Sequence, residues 1–263
     1  MALHFYKYQG TGNDFVLIDN RSSVFKNDTK IIKKLCDRRF GVGGDGLILL
    51  EESSMEMCDF KMVYFNADGN ESSMCGNGGR CIVAFAKELG IIDTETTFEA
   101  VDGLHSAIIK EDVVNLKMAD VPTVNLSREA SFLDTGSPHH VAFVDDVYDF
   151  DVFTQGRLIR NLPNYEGIKG TNVNFVQVLD EMVHVRTYER GVEDETFSCG
   201  TGVTAAAITA KMSNKIDKLP VKVITKGGDL EVDFEIEGPN AVKNIWLKGP
   251  ATFVFEGDYH GKA

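Results

Sequence analysis

Two short segments of the chain each combine a thiol with a glycine-rich backbone. Residues 75–79 read Cys-Gly-Asn-Gly-Gly, and residues 199–203 read Cys-Gly-Thr-Gly-Val. Each precedes an apolar stretch with a helical pattern, and a thiol at a helix N-terminus faces backbone N–H groups that favour the thiolate. Glycines let a ligand approach that backbone closely. Each segment could therefore hold a carboxylate and stabilise the negative charge that forms when an α-proton leaves.

The two segments belong to a longer internal repeat. Cys75 and Cys199 are separated by 124 positions, as are residues 11–13 (Thr-Gly-Asn) and 135–137 (Thr-Gly-Ser). An internal duplication is the economical interpretation. A single Cys-Gly-x-Gly is more often a buried cysteine at a turn, but two copies in register favour catalysis. One thiol per half predicts two thiols facing each other across a pseudo-twofold cleft, with a base on one side of a carbon and an acid on the other.

Metal and dinucleotide binding are the other chemistries that these residues suggest. Cys75 and Cys81 are six positions apart, without the partner pair that a zinc site needs, so we predict no metal. Residues 41–46 (Gly-Val-Gly-Gly-Asp-Gly) match Gly-x-Gly-x-x-Gly, but they follow a predicted helix and precede a predicted strand. A dinucleotide fingerprint has the opposite order. We interpret the segment as a tight loop and predict no cofactor.

Three further polar residues could act beside the thiols. His139 would ordinarily be a hydrogen-bonded core residue, but near a thiol it would tune the protonation of the sulfur. Glu189 and Arg190 would ordinarily form a surface ion pair. Glu189 stands ten residues before Cys199, much as Asn66 stands nine before Cys75. That correspondence favours a role in contacting a substrate.

Strands rich in Val, Ile and Phe dominate the pattern of the elements that must position these residues. Helices are predicted at residues 29–39, 75–89, 153–161 and 199–212, with Asp28 as the N-cap of the first and Gly90 ending the second. The two cysteine helices are apolar enough to be buried, each wrapped by its own sheet. We predict domains at 1–120 and 121–252, with the leftover segment 253–263 completing the first.

Composition limits the partners and the compartment. The chain has 263 residues, enough for two domains, and its 27 basic and 40 acidic side chains give a net charge of −13. That charge argues against nucleic-acid and anionic-membrane partners. No apolar run reaches the length of a membrane span, and residues 1–7 predict a first strand instead of a signal peptide. We therefore expect a cytoplasmic protein whose five cysteines form no disulfide framework.

Over its whole length the chain resembles the diaminopimelate epimerases. The resemblance rests on five ordered motifs: residues 10–15, 39–46, 65–69, 74–81, and 189–191 leading to 198–202. It implies an α+β fold of two pseudo-symmetric domains, each a mixed or antiparallel sheet curled around a central helix. It also implies a homodimer and a pyridoxal-phosphate-independent epimerase that interconverts LL- and meso-2,6-diaminopimelate in lysine and peptidoglycan biosynthesis.

The resemblance also implies roles for individual residues. One cysteine removes the α-proton as thiolate, while the other returns a proton from the opposite face. Cys75 would be the donor and Cys199 the acceptor in one direction, with the roles exchanged in reverse. His139 and Glu189 would influence the two thiols. The residues that would bind the substrate are Gly76, Asn77, Gly200 and Thr201 at the reacting carboxylate, and Asn13, Asn66, Asn172, Glu189 and Arg190 elsewhere.

The chain departs from the family pattern at three places. Gly46 stands where some members carry a glutamine ligand, and Ser137 stands where many have Asn before Pro-His. The segment from Glu189 to Cys199 is one residue longer than in some relatives, at residues 193–195. These departures concern the distal substrate contacts and leave the thiol pair untouched.

Two alternatives remain open at this point. A related two-thiol racemase could act on another amino acid, such as proline or histidine, although the polar set favours a substrate with a second amino-acid end. Phenazine-type isomerases of similar fold lack the cysteine pair and fit poorly. A non-catalytic amino-acid-binding or thiol-sensing protein would bind a ligand without exchanging its α-proton.

Overall fold

The computed structural model describes residues 2–72 and 74–261, so residues 1, 73 and 262–263 of the predicted first domain lie outside the described residues. The helices are α1 (Thr29–Cys36), α2 (Gly76–Glu88), α3 (Val152–Arg160) and α4 (Gly200–Met212), with a 3₁₀ helix at Pro163–Ile168. The strands are β1 (Leu3–Gly10), β2 (Asn13–Asp19), β3 (Gly46–Glu51), β4 (Phe60–Asn66), β5 (Glu71–Ser72), β6 (Glu95–Ala100), β7 (Gly103–Lys110), β8 (Val113–Lys117), β9 (Val124–Asn125), β10 (Ser131–Asp134), β11 (Pro138–Phe143), β12 (Asn172–Leu179), β13 (Met182–Glu189), β14 (Asp194–Thr196), β15 (Val221–Thr225), β16 (Gly228–Glu237), β17 (Ala241–Pro250) and β18 (Thr252–Tyr259).

Helix α1 begins where the sequence predicts and ends earlier. The Asp28 carboxylate accepts hydrogen bonds from the N–H groups of Lys30 and Ile31, which confirms it as the N-cap. The predicted helix 29–39 stops at Cys36 because Asp37 takes an extended conformation. The side chain of Asp37 then accepts the N–H groups of the next turn. The Asp37 carboxylate thus accepts the N–H groups of Arg39 and Phe40, which a longer helix would have bonded to its own carbonyls.

The chain forms two compact units. The first runs to Leu116 and resumes at Gly249, while the second comprises Lys117–Lys248. In the first unit, β18 pairs with β1, and the sheet continues through β2, β3, β4, β6, β7 and β8. The β2–β3 and β4–β6 pairs are parallel and the others antiparallel. Strand β5 adds to β4 as a short side strand.

The second unit repeats this order strand for strand. Its sheet runs β9, β10, β11, β12, β13, β15, β16 and β17. The β11–β12 and β13–β15 pairs are the parallel ones, at the same places in the order, and β14 is the side strand on β13. This match of pairing and direction shows the internal duplication. The position that β18 fills in the first unit is filled by β9 in the second.

Each sheet curls around one buried helix. Helix α2 packs against β1, β2 and β3 near one end of its sheet and also against β7 near the other end. Helix α4 likewise packs against strands from β10 to β16. Ten residues of α4 are buried, including Ala205, Ala206 and Ala207, whose small side chains let the strands approach from all sides. The fold is therefore α+β, with two similar halves. No helix within the described residues is long and apolar enough to cross a membrane.

Candidate active site

Cys75 lies at the N-terminus of the helix at the centre of the first unit. It is the N-cap of α2, with φ −95° and ψ 130°, and its carbonyl accepts the Gly79 N–H at 2.7 Å. The first N–H groups of any α-helix have no carbonyl partner within that helix. In α2 these groups belong to Gly76, Asn77 and Gly78. The backbone here suits an anion.

The thiol of Cys75 contacts an amide whose orientation is fixed. Cys75 Sγ donates to Asn13 Oδ1 at 3.6 Å, and Asn77 Nδ2 donates to the same oxygen at 3.4 Å. On its other side, Asn13 Nδ2 donates to the Asp45 carboxylate at 2.6 Å. A carboxylate can only accept here, so the amide nitrogen of Asn13 must face Asp45 and its oxygen must face the thiol.

A buried guanidinium orients the second amide of this group. Arg80 is fully buried and donates to Asn77 Oδ1 at 3.0 Å and to Thr11 Oγ1 at 3.1 Å. It also donates to the carbonyls of Gly76 and Pro250, and burial lowers its pKa. Burial also raises the pKa of Cys81, the neighbouring thiol, to about 12, so that thiol stays neutral.

The second unit places Cys199 in the equivalent position. Cys199 is the N-cap of α4, with φ −117° and ψ 112°, and its carbonyl accepts the Val203 N–H at 2.8 Å. Its Sγ lies 3.4 Å from Thr201 Oγ1 in the first turn. Gly202 permits this arrangement, because a Cβ there would come within 2.4 Å of Asn174 Oδ1 on β12.

Thr201 connects the thiol to a buried chain of polar groups. His139 Nε2 lies 2.9 Å from Thr201 Oγ1, and His139 Nδ1 lies 3.0 Å from Asn174 Nδ2. The same Nδ2 donates to the His140 carbonyl, while Asn174 Oδ1 accepts from Thr187 Oγ1 at 2.9 Å. His139 and Asn174 are fully buried. Since the Asn174 nitrogen faces His139 Nδ1, that ring atom must accept, and the ring proton of neutral His139 lies on Nε2.

His139 stays neutral at every physiological pH. Burial lowers its pKa to about 3, with the nearby positive charge of Arg190 acting in the same direction. Burial also lowers the pKa of His140, which bonds to the Tyr165 hydroxyl, to about 4. Neither ring is charged near neutral pH, so His139 acts in the site as a neutral hydrogen-bonding group.

We expect acid to destabilise the protein through these two rings. An unfolded histidine has a pKa of about 6.5, so below that pH the unfolded chain binds protons that the folded rings do not. Stability should therefore fall as the pH drops from about 6.5 toward about 4, by roughly 1.4 kcal/mol per pH unit for each ring. Denaturant unfolding at several pH values measures the slope. His139→Gln should remove the His139 contribution and make the slope shallower, and an unchanged slope would contradict the assignment.

Arg190 directly follows β13, and hydrogen bonds to backbone and side-chain atoms hold its guanidinium. Its guanidinium donates to the carbonyls of Ile168 and Gly170 and to Ser137 Oγ at 3.3 Å. Asn172 joins the group, since its Oδ1 accepts the Arg190 N–H and its Nδ2 donates to Ser137 Oγ at 2.9 Å. Arg190 remains partly exposed, so it can still bind an anion. Glu189, the last residue of β13, is partly buried.

The remaining predicted site residue lies in the first unit. Asn66 ends β4, is exposed, and faces Gly46 across the β3–β4 pairing. Its backbone closes a tight turn with Gly69 and Asn70. The structure thus places Asn13, Asn66, Cys75, Gly76 and Asn77 at one end of the first unit's sheet and α2. The second group, at the corresponding end of the second unit, consists of His139, Asn172, Glu189, Arg190, Cys199, Gly200 and Thr201.

Comparison with known proteins decides the family. The family model described as diaminopimelate epimerase matches residues 5–124 and again 131–254, once for each half. The chain belongs to the diaminopimelate epimerase family. It is 56% identical over 254 residues to the diaminopimelate epimerase of Flavobacterium psychrophilum, covering 95% of this chain and 98% of that one. It is 40% identical over 275 residues to the diaminopimelate epimerase of Aquifex aeolicus, covering 97% of each. The chain is therefore an enzyme of the epimerase class.

Solved structures of lower identity share the fold. A PhzF-family phenazine biosynthesis protein from Bacillus anthracis superimposes with a TM-score of 0.76 at 15% identity, covering 98% of this chain and 99% of that one. A hydroxyproline epimerase from Agrobacterium vitis, with bound trans-4-hydroxy-L-proline, gives a TM-score of 0.72 at 15% identity, covering 98% and 92%. At such identities the likeness concerns the fold alone.

The structure accounts for the first departure from the family pattern. A Cβ at Gly46 would lie 2.5 Å from the Phe65 carbonyl oxygen and 2.6 Å from Cε2 of Tyr64. The Tyr64 ring therefore lies over Gly46, and it also packs edge-on against Phe15 at a centroid distance of 5.9 Å. A side chain at position 46 would meet both the Phe65 backbone carbonyl and this ring, so the position fits glycine.

At the other two departures from the family pattern, the differing residues are held by bonds to their neighbours. Ser137 Oγ accepts hydrogen bonds from Asn172 and from the Arg190 guanidinium, so the serine hydroxyl reaches both of these partners. The longer segment at residues 193–195 is anchored by two ion pairs, Glu193 with Arg160 and Glu195 with Arg186. Neither change displaces Cys199 from the helix N-terminus.

Four residues that connect to the thiols were not predicted from the sequence: Asp45, Arg80, Asn174 and Thr187. A signal for Asn174 was present. Asn172 and Asn174 alternate at the start of a largely apolar strand, and both are buried, so both point to one buried face. Buried polar side chains need partners, and a pair of them on one strand face marks a network. Asp45 and Arg80 lie within motifs that were interpreted through their glycines and cysteines.

Proposed function

We propose that this protein interconverts LL- and meso-2,6-diaminopimelate without a cofactor, by proton transfer between the α-carbon and two cysteines. Cys75 and Cys199 act on opposite faces of that carbon. The thiolate of one cysteine takes the α-proton and becomes a thiol, while the thiol of the other gives its proton to the carbanion and becomes a thiolate. Each turnover exchanges the two protonation states and leaves the substrate inverted at one centre.

The equivalence of the two thiols is the observation that carries this proposal. Each cysteine is the N-cap of the buried central helix of its own repeat, with similar backbone angles and no side-chain capping bond. Two helix N-termini supply N–H donors for the reacting carboxylate and for the charge that develops on it. We assign this binding to Gly76, Asn77, Gly200 and Thr201.

The distal amino-acid end of the substrate distinguishes diaminopimelate from smaller amino acids. We assign its recognition to Arg190, which would hold the distal carboxylate by two parallel hydrogen bonds, together with Asn13, Asn66, Asn172 and Glu189. His139 influences Cys199 through Thr201, and Glu189 is assigned an influence on the thiols as well. We further propose that the protein is cytoplasmic, acts as a homodimer, and serves lysine and peptidoglycan biosynthesis.

Incubation of the reduced protein with meso-diaminopimelate in D₂O tests the proposal directly. We expect loss of the α-proton NMR signal together with appearance of the LL isomer, with no cofactor added. The same incubation with proline and histidine should give no exchange. Absence of exchange with diaminopimelate in folded, reduced protein would contradict the proposal, and exchange with another amino acid would identify a racemase of different specificity.

A further inference from the structure

Arg190 is held between two loops of the second unit, and an ion pair connects those loops. One loop, at residues 189–193, carries Arg190, and the other, at residues 168–170, supplies two carbonyls that accept from its guanidinium. We propose that the Arg160–Glu193 pair positions Arg190 and thereby determines how tightly the enzyme binds the distal carboxylate of its substrate. The inference rests on the function proposed above and adds two positioning residues to it.

Glu193 closes the turn that carries Arg190. Its backbone N–H donates to the Glu189 carbonyl at 2.8 Å. Its Oε1 accepts the N–H of Gly191, the residue directly after Arg190, at 3.0 Å. Its Oε2 accepts the hydroxyl of Tyr188 at 3.3 Å. The backbone and the carboxylate of one residue thus hold the chain on both sides of Arg190.

Arg160 connects the same carboxylate to the other loop. It is the last residue of α3, and its Nε and Nη2 each lie 2.8 Å from Glu193 Oε1. Its Nη1 donates to the Lys169 carbonyl at 3.2 Å. The carbonyls on either side of Lys169 are the two that accept from Arg190. Two guanidiniums therefore hold three consecutive carbonyls of one turn, and Glu193 links one guanidinium to the loop that carries the other.

The backbone of the turn at residues 168–170 allows this close contact. Lys169 and Gly170 both have positive φ, at 59° and 86°. A Cβ at Gly170 would lie 2.8 Å from Cζ of Arg160 and 2.9 Å from the Arg160 carbonyl oxygen. Glycine therefore serves both the backbone conformation and the approach of the guanidinium. The Gly170 N–H also donates to the Tyr165 carbonyl at 2.8 Å, which holds the turn from its other side.

The charges of this cluster make the expected effect specific in sign. Burial opposes the charge of Glu193, but the Gly191 N–H and Arg160 outweigh burial and hold the pKa of Glu193 below its ordinary value. Removing this negative charge makes the surroundings of Arg190 more positive, which by itself would favour an anion. Loss of position would weaken binding instead, because two parallel hydrogen bonds to a carboxylate require one orientation of the guanidinium. The two effects therefore change KM in opposite directions.

Glu193→Gln in the otherwise unmodified protein tests the inference. The amide keeps the size of the side chain and an acceptor for the Gly191 N–H, but it lacks the charge that holds Arg160. We expect the KM for diaminopimelate to rise by about tenfold with kcat nearly unchanged, by analogy with groups that orient metal ligands, whose loss typically costs about 10–100-fold. An unchanged or lowered KM in the folded variant would overturn the proposal.

A double substitution shows whether Glu193 acts through Arg190. In an Arg190→Met background the group to be positioned is absent, so Glu193→Gln should leave KM at the value of Arg190→Met alone. Independent effects would multiply instead. A further rise of about tenfold in the double variant would contradict the assignment, since a general weakening of the structure would act with or without Arg190.

Glu181→Gln is the matched control for the loss of the carboxylate. Glu181 lies at the opposite end of β13, in the turn before the strand, and its φ of 60° equals that of Glu193. It also forms an ion pair, at 2.7 Å from Lys218 Nζ. Its replacement should leave KM and kcat unchanged. A rise in KM equal to that of Glu193→Gln would overturn the specific role of Glu193.

Arg160→Lys covers the case in which Glu193→Gln does not fold. Lysine keeps the positive charge but lacks the rigid fork that donates to Glu193 and to the Lys169 carbonyl together. We expect a rise in KM with kcat nearly unchanged, and an unchanged KM in the folded variant would contradict the proposal.

Exchange in D₂O by the unmodified protein keeps this inference distinct from the proposed function. Absence of exchange with diaminopimelate would contradict the function. Exchange by the unmodified protein, together with an unchanged KM in folded Glu193→Gln, would contradict only the positioning role of the Arg160–Glu193 pair.

Discussion

Cys75→Ala is expected to lower the rate of α-proton exchange with inversion by at least about 10³-fold, because one of the two proton-transfer groups is lost. The fold should persist. The Cys75 side chain makes no capping bond to α2, so alanine removes little of the stability of the helix. Exchange and inversion of meso-diaminopimelate in D₂O, followed by NMR, measure the rate. Cys199→Ala should have an effect of the same size.

Cys58→Ala is the matched control for the loss of a thiol. Cys58 lies in the same unit, in the connection between β3 and β4, and is partly buried like Cys75. Its replacement should leave turnover unchanged. Appreciable inversion by folded Cys75→Ala would be incompatible with the two-thiol scheme, while loss of activity in Cys58→Ala would point to a general sensitivity to cysteine replacement.

Arg190→Met is expected to raise the KM for diaminopimelate by about 10²-fold or more, with a smaller effect on kcat. The reason is the loss of charge-assisted hydrogen bonds to the distal carboxylate, each worth about 1.5–3 kcal/mol. The bonds of the guanidinium to Ser137, Ile168 and Gly170 position it for this contact. Steady-state kinetics with diaminopimelate separates the two constants.

Arg157→Met provides the comparison for Arg190. Arg157 lies on the exposed face of α3 in the same unit, so the substitution removes the same charge and a similar volume. We expect unchanged KM and kcat. If Arg190→Met left KM unchanged, or reduced kcat alone, the distal carboxylate would have to be bound by other residues.

The sequence predicted the elements that carry the thiols because their signals are local. Asp28 caps α1 through its own side chain, and the cysteine helices follow from apolar runs that begin after glycine-rich turns. The predicted end of α1 was wrong because the Asp37 side chain accepts hydrogen bonds from the backbone N–H groups of Arg39 and Phe40. That competition depends on a choice between two local structures of similar energy, which a hydrophobic pattern does not resolve.

The polar networks behind the thiols could not be predicted in the same way. Thr187 and Asn174 meet because β12 and β13 pair in one particular register, with Asn174 opposite Thr187. A shift of one residue would turn both side chains to the other face. The close approach of Phe65 and Tyr64 to Gly46 likewise requires the register of β3 and β4. Chemical types are thus readable from the chain, while the direction of each hydrogen bond is decided by register.

The strand that completes the first unit comes from the opposite end of the chain, and this has a consequence for synthesis. Strand β18 covers β1 along seven paired residues, from Leu3 with Tyr259 to Gln9 with Thr252. A ribosome makes β1 before the second unit and β18 after it. The second unit is continuous and can be completed as it emerges, but this edge of β1 stays uncovered until β18 has been made. The half of the nascent chain that is made first is therefore the half that finishes folding last, and it is the half exposed to edge-to-edge association in the meantime.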